Sequence, residues 1–394
     1  MPSARRLVVA LLVSAAALAA CSDDTTPAAD TSPGSTETVA STAAEPVTGS
    51  SDPSTSTTES SAPTTDPAAV LAGFEQVAAP VDCMCGDGSE FHFWMRHRDP
   101  AKVLFYFEGG GACFSPETCD PSNPAYKTAI GHDATLSDLG EGIWDDTNPE
   151  NPFRDWSVVW VPYCTGDVHI GNNTADYGNG VVVEHKGYVN GVAALDALVA
   201  AFPDAEHVVV SGESAGSVPD PLYAGLAADL LPDARITVLA DGSGAYPDVP
   251  GINALIGGLW GTMNAVPDWP ENEGQTVESW SFPGLFIQAG THAPRITFAR
   301  HDYAFDRTQA FFSSLAGIAA DDLVQLIDKN EAQVEAAGLT LLSYISPGDD
   351  HTILSKDELY GHEVDGVRLI DWIAALLVDP TTVTDNHCAD CRAA

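Results

Sequence analysis

The chain has 394 residues, with 56 Asp and Glu against 16 Lys and Arg, a formal net charge of −40. A sequence-independent nucleic-acid binder needs cationic side chains to displace counterions, and this composition supplies few of them. Hydrophobic residues make up 44% of the chain, enough for a large core. No apolar run beyond the first 20 positions is long enough for a spanning helix, which argues against a bundle of membrane helices.

Arg5 and Arg6 precede a short apolar stretch, Leu7–Ala17, and then small residues, the layout of a signal peptide over residues 1–21. The segment Leu18-Ala19-Ala20-Cys21 resembles the lipobox of bacterial lipoproteins. That resemblance implies acylation of Cys21 and a place on the outer face of the bacterial cytoplasmic membrane, touched only through the lipid anchor. Each buried methylene of such an anchor contributes about 0.8 kcal/mol. Residues 22–66 read as a linker: Ser, Thr and Pro fill 27 of its 45 positions, with no Lys, Arg or aromatic residue. Such a segment cannot bury enough apolar surface to offset its ordering entropy, so disorder is expected, with an end-to-end distance on the order of 35–40 Å. Residues 67–394, the expected catalytic domain, hold 48 acids and 14 bases, so the domain is itself acidic, near −34.

Within that domain, Val103–Phe107 and Val158–Val161 read as buried strands, the second closed by Pro162. Tyr188 to Phe202 has apolar residues at helical spacing and stops at Pro203. Strand His207–Ser211, helix Val218 to Leu231 and strand Ile236–Ala240 follow. Residues 245–283 are rich in Gly, Pro and Trp without clear periodicity, and suit a lid-like insertion or a long connection. Leu285–Gln288 reads as a strand, Arg307 to Leu315 as a helix and Leu339–Ile345 as a last strand. Strands alternating with helices predict an α/β fold, a doubly wound, mostly parallel sheet with helices on both faces. Eight cysteines suit an exported protein. Cys388 and Cys391, beside His387, suit a terminal disulfide better than half a zinc site, since no second Cys/His pair with zinc spacing lies nearby.

Two motifs carry chemistry. Gly212-Glu213-Ser214-Ala215-Gly216 directly follows a strand and precedes a helix, the context that the G-x-S-x-G nucleophile elbow requires. The turn presents the Ser214 hydroxyl at the C-terminal edge of the sheet. Phe107-Glu108-Gly109-Gly110-Gly111-Ala112-Cys113 follows an earlier strand, where α/β-hydrolases place the oxyanion loop. Its glycines let the N–H groups of Gly110 and Gly111 point inward, to meet an oxyanion together with the N–H of Ala215. A P-loop would need G-K-[S/T], which is absent.

The run Glu108-Gly-Gly-Gly-Ala-Cys-Phe-Ser-Pro-Glu-Thr-Cys119 resembles the signature of the pectin acetylesterase/Notum family. Cys85-Gly-Asp-Gly-Ser, Val161-Pro-Tyr-Cys-Thr-Gly-Asp167, Gly187-Tyr188, Ser214-Ala-Gly and Asp241-Gly-Ser-Gly fall in the same order as that family's blocks, over roughly residues 83–378. The resemblance implies an α/β-hydrolase core and a serine carboxylesterase that removes acetyl groups from pectin or, in animals, a fatty acyl group from a signalling protein. It implies a triad acid in a block Asp-x-x-Gln, matched by Asp306 to Gln309, with Asp302 and Asp241 as rivals. It implies a histidine after the last strand, His351, with His362 as the rival on a surface helix or loop. It also implies a disulfide Cys113–Cys119, with Cys85 or Cys83 joined to Cys164. The order Ser214, Asp306, His351 is the one this fold uses.

The chain departs from the family at Gly111, where animal members carry an aromatic residue, and at Ser217, where the family block ends in glycine. These differences bear on acyl and leaving-group preference. The expected activity is hydrolysis of O-acyl esters, acetyl first, on an acylated small molecule or polysaccharide. It proceeds through Ser214, His351 and Asp306 with no metal or organic cofactor, in a monomer. Longer acyl esters form the alternative substrate class, and a non-catalytic surface binding protein on a hydrolase scaffold is the alternative of another kind.

Overall fold

The computed structural model describes residues 73–130 and 140–391; the expected signal peptide, Cys21 and the expected linker lie outside the described residues. No helix among the described residues is long and apolar enough to cross a membrane.

The strands are β1 (Phe74–Ala78), β2 (His92–Arg96), β3 (Asp99–Phe107), β4 (Trp156–Val161), β5 (Asn173–Asp176), β6 (Val182–His185), β7 (His207–Glu213), β8 (Arg235–Asp241), β9 (Thr297–Tyr303), β10 (Leu341–Ser346), β11 (Glu363–Val364), β12 (Val367–Arg368) and β13 (Asn386–His387). Nine of them form one sheet in the order β1-β2-β4-β3-β7-β8-β9-β10-β13. From β4 to β13 every pairing is parallel, while β2 runs antiparallel to both β1 and β4. The helices are α1 (Gly187–Ala201), α2 (Asp220–Leu230), α3 (Pro250–Trp260), α4 (Phe282–His292), α5 (Arg307–Leu315), α6 (Leu323–Ala336) and α7 (Leu369–Val378).

Successive side chains of a strand point to opposite faces, and β3 uses both. Val103, Phe105 and Phe107 enter one core with Val208 and Val210 of β7, Leu195 and Leu198 of α1, and Leu222 and Tyr223 of α2. Leu104 and Tyr106 enter the other with Val209, Trp144, and Leu369, Ile373 and Leu376 of α7. The sheet is therefore covered on both sides, which is why its central strands are near-continuous apolar runs.

Two elements differ from expectation. Leu285–Gln288 is not a strand but the middle of α4: Ser281 caps that helix by accepting from Gly284 N, and Pro283 fits its first turn, where the missing N–H is harmless. The strand before Asp306 is β9, whose sequence TFARHDY hides it from a search for apolar runs, because Arg300, His301 and Asp302 are all buried. Residues 245–283 contain α3 and two short 3₁₀ turns, Thr262–Ala265 and Pro270–Asn272, rather than a bare connection.

Three disulfides are present among the described residues: Cys85–Cys164, Cys113–Cys119 and Cys388–Cys391. Cys83 is the thiol left over, buried, and pushed up to about 11 by its burial and by Asp82.

Several buried histidines are held neutral by the fold, His169 and His207 among them. Burial lowers His169 to about 4, with Lys127 adding to the effect. Burial and then Arg235 and Lys102 lower His207 to about 3. The unfolded chain therefore binds more protons than the native one below the ordinary histidine value of about 6.5. Stability should be full above that value and fall as pH drops from about 6.5 toward about 4, by up to about 1.4 kcal/mol per pH unit for each group. Urea midpoints measured from pH 7 to pH 4.5 should decline steadily; a flat midpoint across that window would contradict the assignment.

Candidate active site

The site is built at the C-terminal edge of the central strands. β7 ends at Glu213 and the chain turns sharply at Ser214, which sits at φ +54°, before the 3₁₀ turn Ser214–Gly216. A non-glycine residue in the left-handed region is uncommon and marks a constrained turn, as the elbow requires. The end of β3 lies directly alongside. A Cβ on Gly109 would stand 2.5 Å from Glu213 O and 3.0 Å from Ser214 Cβ, so only glycine lets the two turns approach. Ser217, where the family block ends in glycine, donates its hydroxyl to Ser214 O (2.9 Å) and Asp241 O (3.0 Å), tying the elbow to β8.

The Gly-rich loop is fixed by two of its carbonyls, one of its N–H groups and one carboxylate. Lys127 N donates to Gly110 O (3.0 Å), Ala112 N to Ala125 O (3.2 Å) and Trp260 Nε1 to Cys113 O (2.7 Å). Buried Glu108 accepts from Tyr163 N (2.9 Å) and Lys127 Nζ (2.6 Å). Gly111 has φ +78°, and a Cβ there would lie 2.1 Å from Ala125 O. The aromatic residue of animal family members therefore has no room at this backbone position. The Cys113–Cys119 disulfide braces the far end of the loop. Among the described residues, no hydrogen bond occupies the backbone N–H groups of Gly110, Gly111 or Ala215.

His351 follows β10, and its Nδ1 lies 2.6 Å from Asp306 Oδ2. Asp306 caps α5, taking Thr308 N (2.8 Å) and Gln309 N (2.9 Å) on Oδ1 and Gln309 Nε2 (3.1 Å) on Oδ2. The carboxylate is thus immobilised before it meets the imidazole. The rival acids are engaged elsewhere. Asp302 forms a buried ion pair with Arg300 (2.8 Å) and accepts from Gly244 N and Gln309 Nε2. Asp241 faces His301 and the backbone of Ile353 and Leu354. The rival histidine, His362, is half-buried rather than on the surface. It bonds Ser346 Oγ (2.7 Å) and is lowered to about 4 by burial and by His301.

Strand register places His351 beside the elbow. Glu213 pairs with Asp241 on the adjacent strand, so Ser214 and Gly242 are the next residues after two neighbouring strands. The His351 ring packs against Gly242, where a Cβ would stand 3.4 Å from Cε1. Ser355, four residues beyond His351, donates to Glu213 Oε2 (2.7 Å), and Lys356 Nζ donates to His351 O (2.8 Å). His351 Nε2 is buried and makes no hydrogen bond among the described residues; the bond to the Ser214 hydroxyl is not formed in this structure. Catalytic hydrogen bonds are often long before substrate binds.

Ser214, Gly111 and Ala215 form one wall of a cavity of about 870 Å³, counted to its open mouth. The other walls are apolar: Ile252, Ile256 and Trp260 of α3, Trp280 and Phe282 beyond it, and Phe312 of α5. Residues 245–283, which the sequence offered as a Gly-, Pro- and Trp-rich lid-like insertion or long connection, thus supply much of the cavity wall.

Burial disfavours a charge on His351, but the hydrogen bond and charge of Asp306, with Asp241 and Glu213 behind, outweigh it and hold the ring above the ordinary histidine value. A proton titration of the ring followed by NMR should give an inflection above 6.5, and Asp306→Asn should move it down. An inflection below 6.5 in the unaltered protein would contradict this balance.

Residues 68–255 match the family model described as pectinacetylesterase. Pectin acetylesterase 5 of Arabidopsis thaliana is 27% identical over 182 residues, covering 45% of this chain and 42% of the plant protein. Palmitoleoyl-protein carboxylesterase notum2 of Xenopus laevis is 29% identical over 141 residues, 34% of this chain and 27% of that one. The chain thus spans less than half the length of these two curated relatives. The structure of the Wnt deacylase Notum from Drosophila superposes with a TM-score of 0.59 at 14% identity, covering 81% of this chain and 97% of that one, and shows a common α/β-hydrolase-like fold. Over residues 68–255 the chain is thus similar to the pectinacetylesterase/Notum family. The family match ends at residue 255, so Asp306 and His351 stand on geometry and motif alone.

Proposed function

We propose that this protein is a serine carboxylesterase with Ser214 as nucleophile, His351 as general base and Asp306 as the carboxylate that orients and stabilises the imidazole. The observation that carries this reading is the Asp306–His351 pair at 2.6 Å, its Nε2 uncommitted, packed beside the turn that holds Ser214 at φ +54°. With Nδ1–H given to Asp306, Nε2 is the ring's free acceptor. It takes the proton of Ser214 as Oγ attacks the ester carbonyl, and the N–H groups of Gly110, Gly111 and Ala215 receive the oxyanion. Collapse expels the alcohol, to which His351 returns the proton. Water, deprotonated by the same ring, then releases the acid from Ser214. Ser214→Ala should lose about 10³-fold or more of turnover while remaining folded, and near-normal turnover by that variant would rule the nucleophile out.

The family names include both acetyl and palmitoleoyl ester hydrolases. The cavity beside Ser214 favours the acyl chain as its occupant, because walls of Ile, Trp and Phe gain about 25 cal/mol per Å² of apolar surface they cover. A polyuronate would also meet a domain of net charge near −34. We therefore place chains longer than acetyl ahead of the acetyl group expected from sequence. On nitrophenyl esters from acetate upward, kcat/KM should rise at least tenfold by the hexanoate or octanoate. A maximum at acetate would return the reading to deacetylation. We further propose that Cys21 carries the lipid anchor; Cys21→Ser should shift the protein from the membrane fraction to the medium, and unchanged membrane retention would refute that anchor.

A further inference from the structure

A second Asp-His-Ser constellation lies beneath the first, and nothing in the proposed mechanism uses it. Asp241, His301 and Ser346 are fully buried. His301 Nδ1 lies 2.7 Å from Asp241 Oδ1, its Nε2 lies 2.8 Å from Ser346 Oγ, and Ser346 Oγ lies 2.7 Å from His362 Nε2. An ionised carboxylate only accepts, so Nδ1 carries the proton given to Asp241. Burying such a group is costly unless every oxygen is used, and apolar residues could have filled the same space. The other oxygen is used: Asp241 Oδ2 accepts from Ile353 N (2.7 Å) and Leu354 N (2.9 Å), the second and third residues after His351. The residue between, Thr352, stands at φ +57°, so the loop turns sharply just where the two bonds hold it. Gly242, the next residue after Asp241, supports the His351 ring itself.

We propose that Asp241, oriented by His301, is a positioning residue that sets the height and tilt of His351 over Ser214. This rests on the esterase reading above, in which His351 is the base. The pair acts through the loop backbone, not on the substrate. A displacement of about 1 Å in such a base can cost on the order of 10²-fold in rate.

The groups facing His351 are Asp306 before α5, Glu213 at the end of β7, Asp241 at the end of β8, and Asp350 and Lys356 on its own loop. Those facing Asp241 are His301, with Asp220 at the start of α2, Tyr106 on β3 and Tyr303 on β9 further off. Removing the Asp241 charge therefore withdraws one of the negative charges that favour protonated His351, and the acid limb of kcat/KM should move to lower pH.

The test is steady-state kinetics on a soluble nitrophenyl ester with the full chain carrying Asp241→Asn, alongside Ser214→Ala. Asp241→Asn should lower kcat about 10²-fold with KM within about twofold, and shift the acid limb downward. A folded Asp241→Asn protein with unaltered kcat and acid limb, while Ser214→Ala is inactive, overturns the positioning role alone. Turnover by Ser214→Ala overturns the esterase reading beneath it. Should Asp241→Asn fail to fold, His301→Asn and His301→Gln decide the matter. The shorter amide keeps a donor where Nδ1 stands, and the longer one keeps only the contact to Ser346. The Asn variant should retain at least ten times the kcat of the Gln variant; equal values overturn the proposal.

Discussion

The site depends on how one loop leaves the sheet. After β10, the residues around His351 have no regular secondary structure of their own, and two carboxylates from other elements, with one lysine of the loop itself, hold them. Asp306 takes the ring at Nδ1, Asp241 takes two backbone N–H groups beyond it, and Lys356 takes the carbonyl of His351 itself. Both carboxylates are fully buried and fixed before they meet the loop, one as a helix cap and the other by a histidine. Loops are the mobile part of a fold, and a base on a loop is only as well aimed as the scaffold that pins it.

The sheet edge supplies the rest. Parallel strands bring Phe107, Gly212 and Ala240 to one level, so the Gly-rich loop, the Ser214 turn and the Asp241 corner emerge side by side. Close contact between the first two requires glycine at 109, and the conformation of the loop requires it at 111. The motif's glycines are thus explained by backbone approach. Of the three, Gly111 also lines the cavity beside Ser214.

Much of this was legible in the sequence because central parallel strands, covered on both faces, must be apolar throughout. β3, β4, β7, β8 and β10 read directly, and the elbow at 214 followed from its place between strand and helix. β9 did not, since its interior is Arg300, His301 and Asp302, whose partners Asn330, Asp241 and Ser346 lie far away in the chain. Arg300 and Asp302 also pair with each other along the strand, but a charged Arg-x-Asp run reads as an exposed segment until the distant partners that bury it are known. Leu285–Gln288 failed for the opposite reason: a short apolar run fits a strand or a buried helix equally, and only Ser281 and Pro283 ahead of it favour the helix. Choosing Asp306 over Asp241 and Asp302 needed the family's Asp-x-x-Gln block. The structure then gives that block a physical sense, because Gln309 bridges Asp306 and Asp302.

Activation of the Ser214 nucleophile by His351 is the proposed relation that covalent capture reads directly. A fluorophosphonate probe applied to the intact protein, followed by peptide mass spectrometry, should place the adduct on Ser214. Labelling should be largely abolished in His351→Ala although Ser214 is still present. An adduct on another residue, or labelling of Ser214 that is indifferent to the loss of His351, would contradict the account.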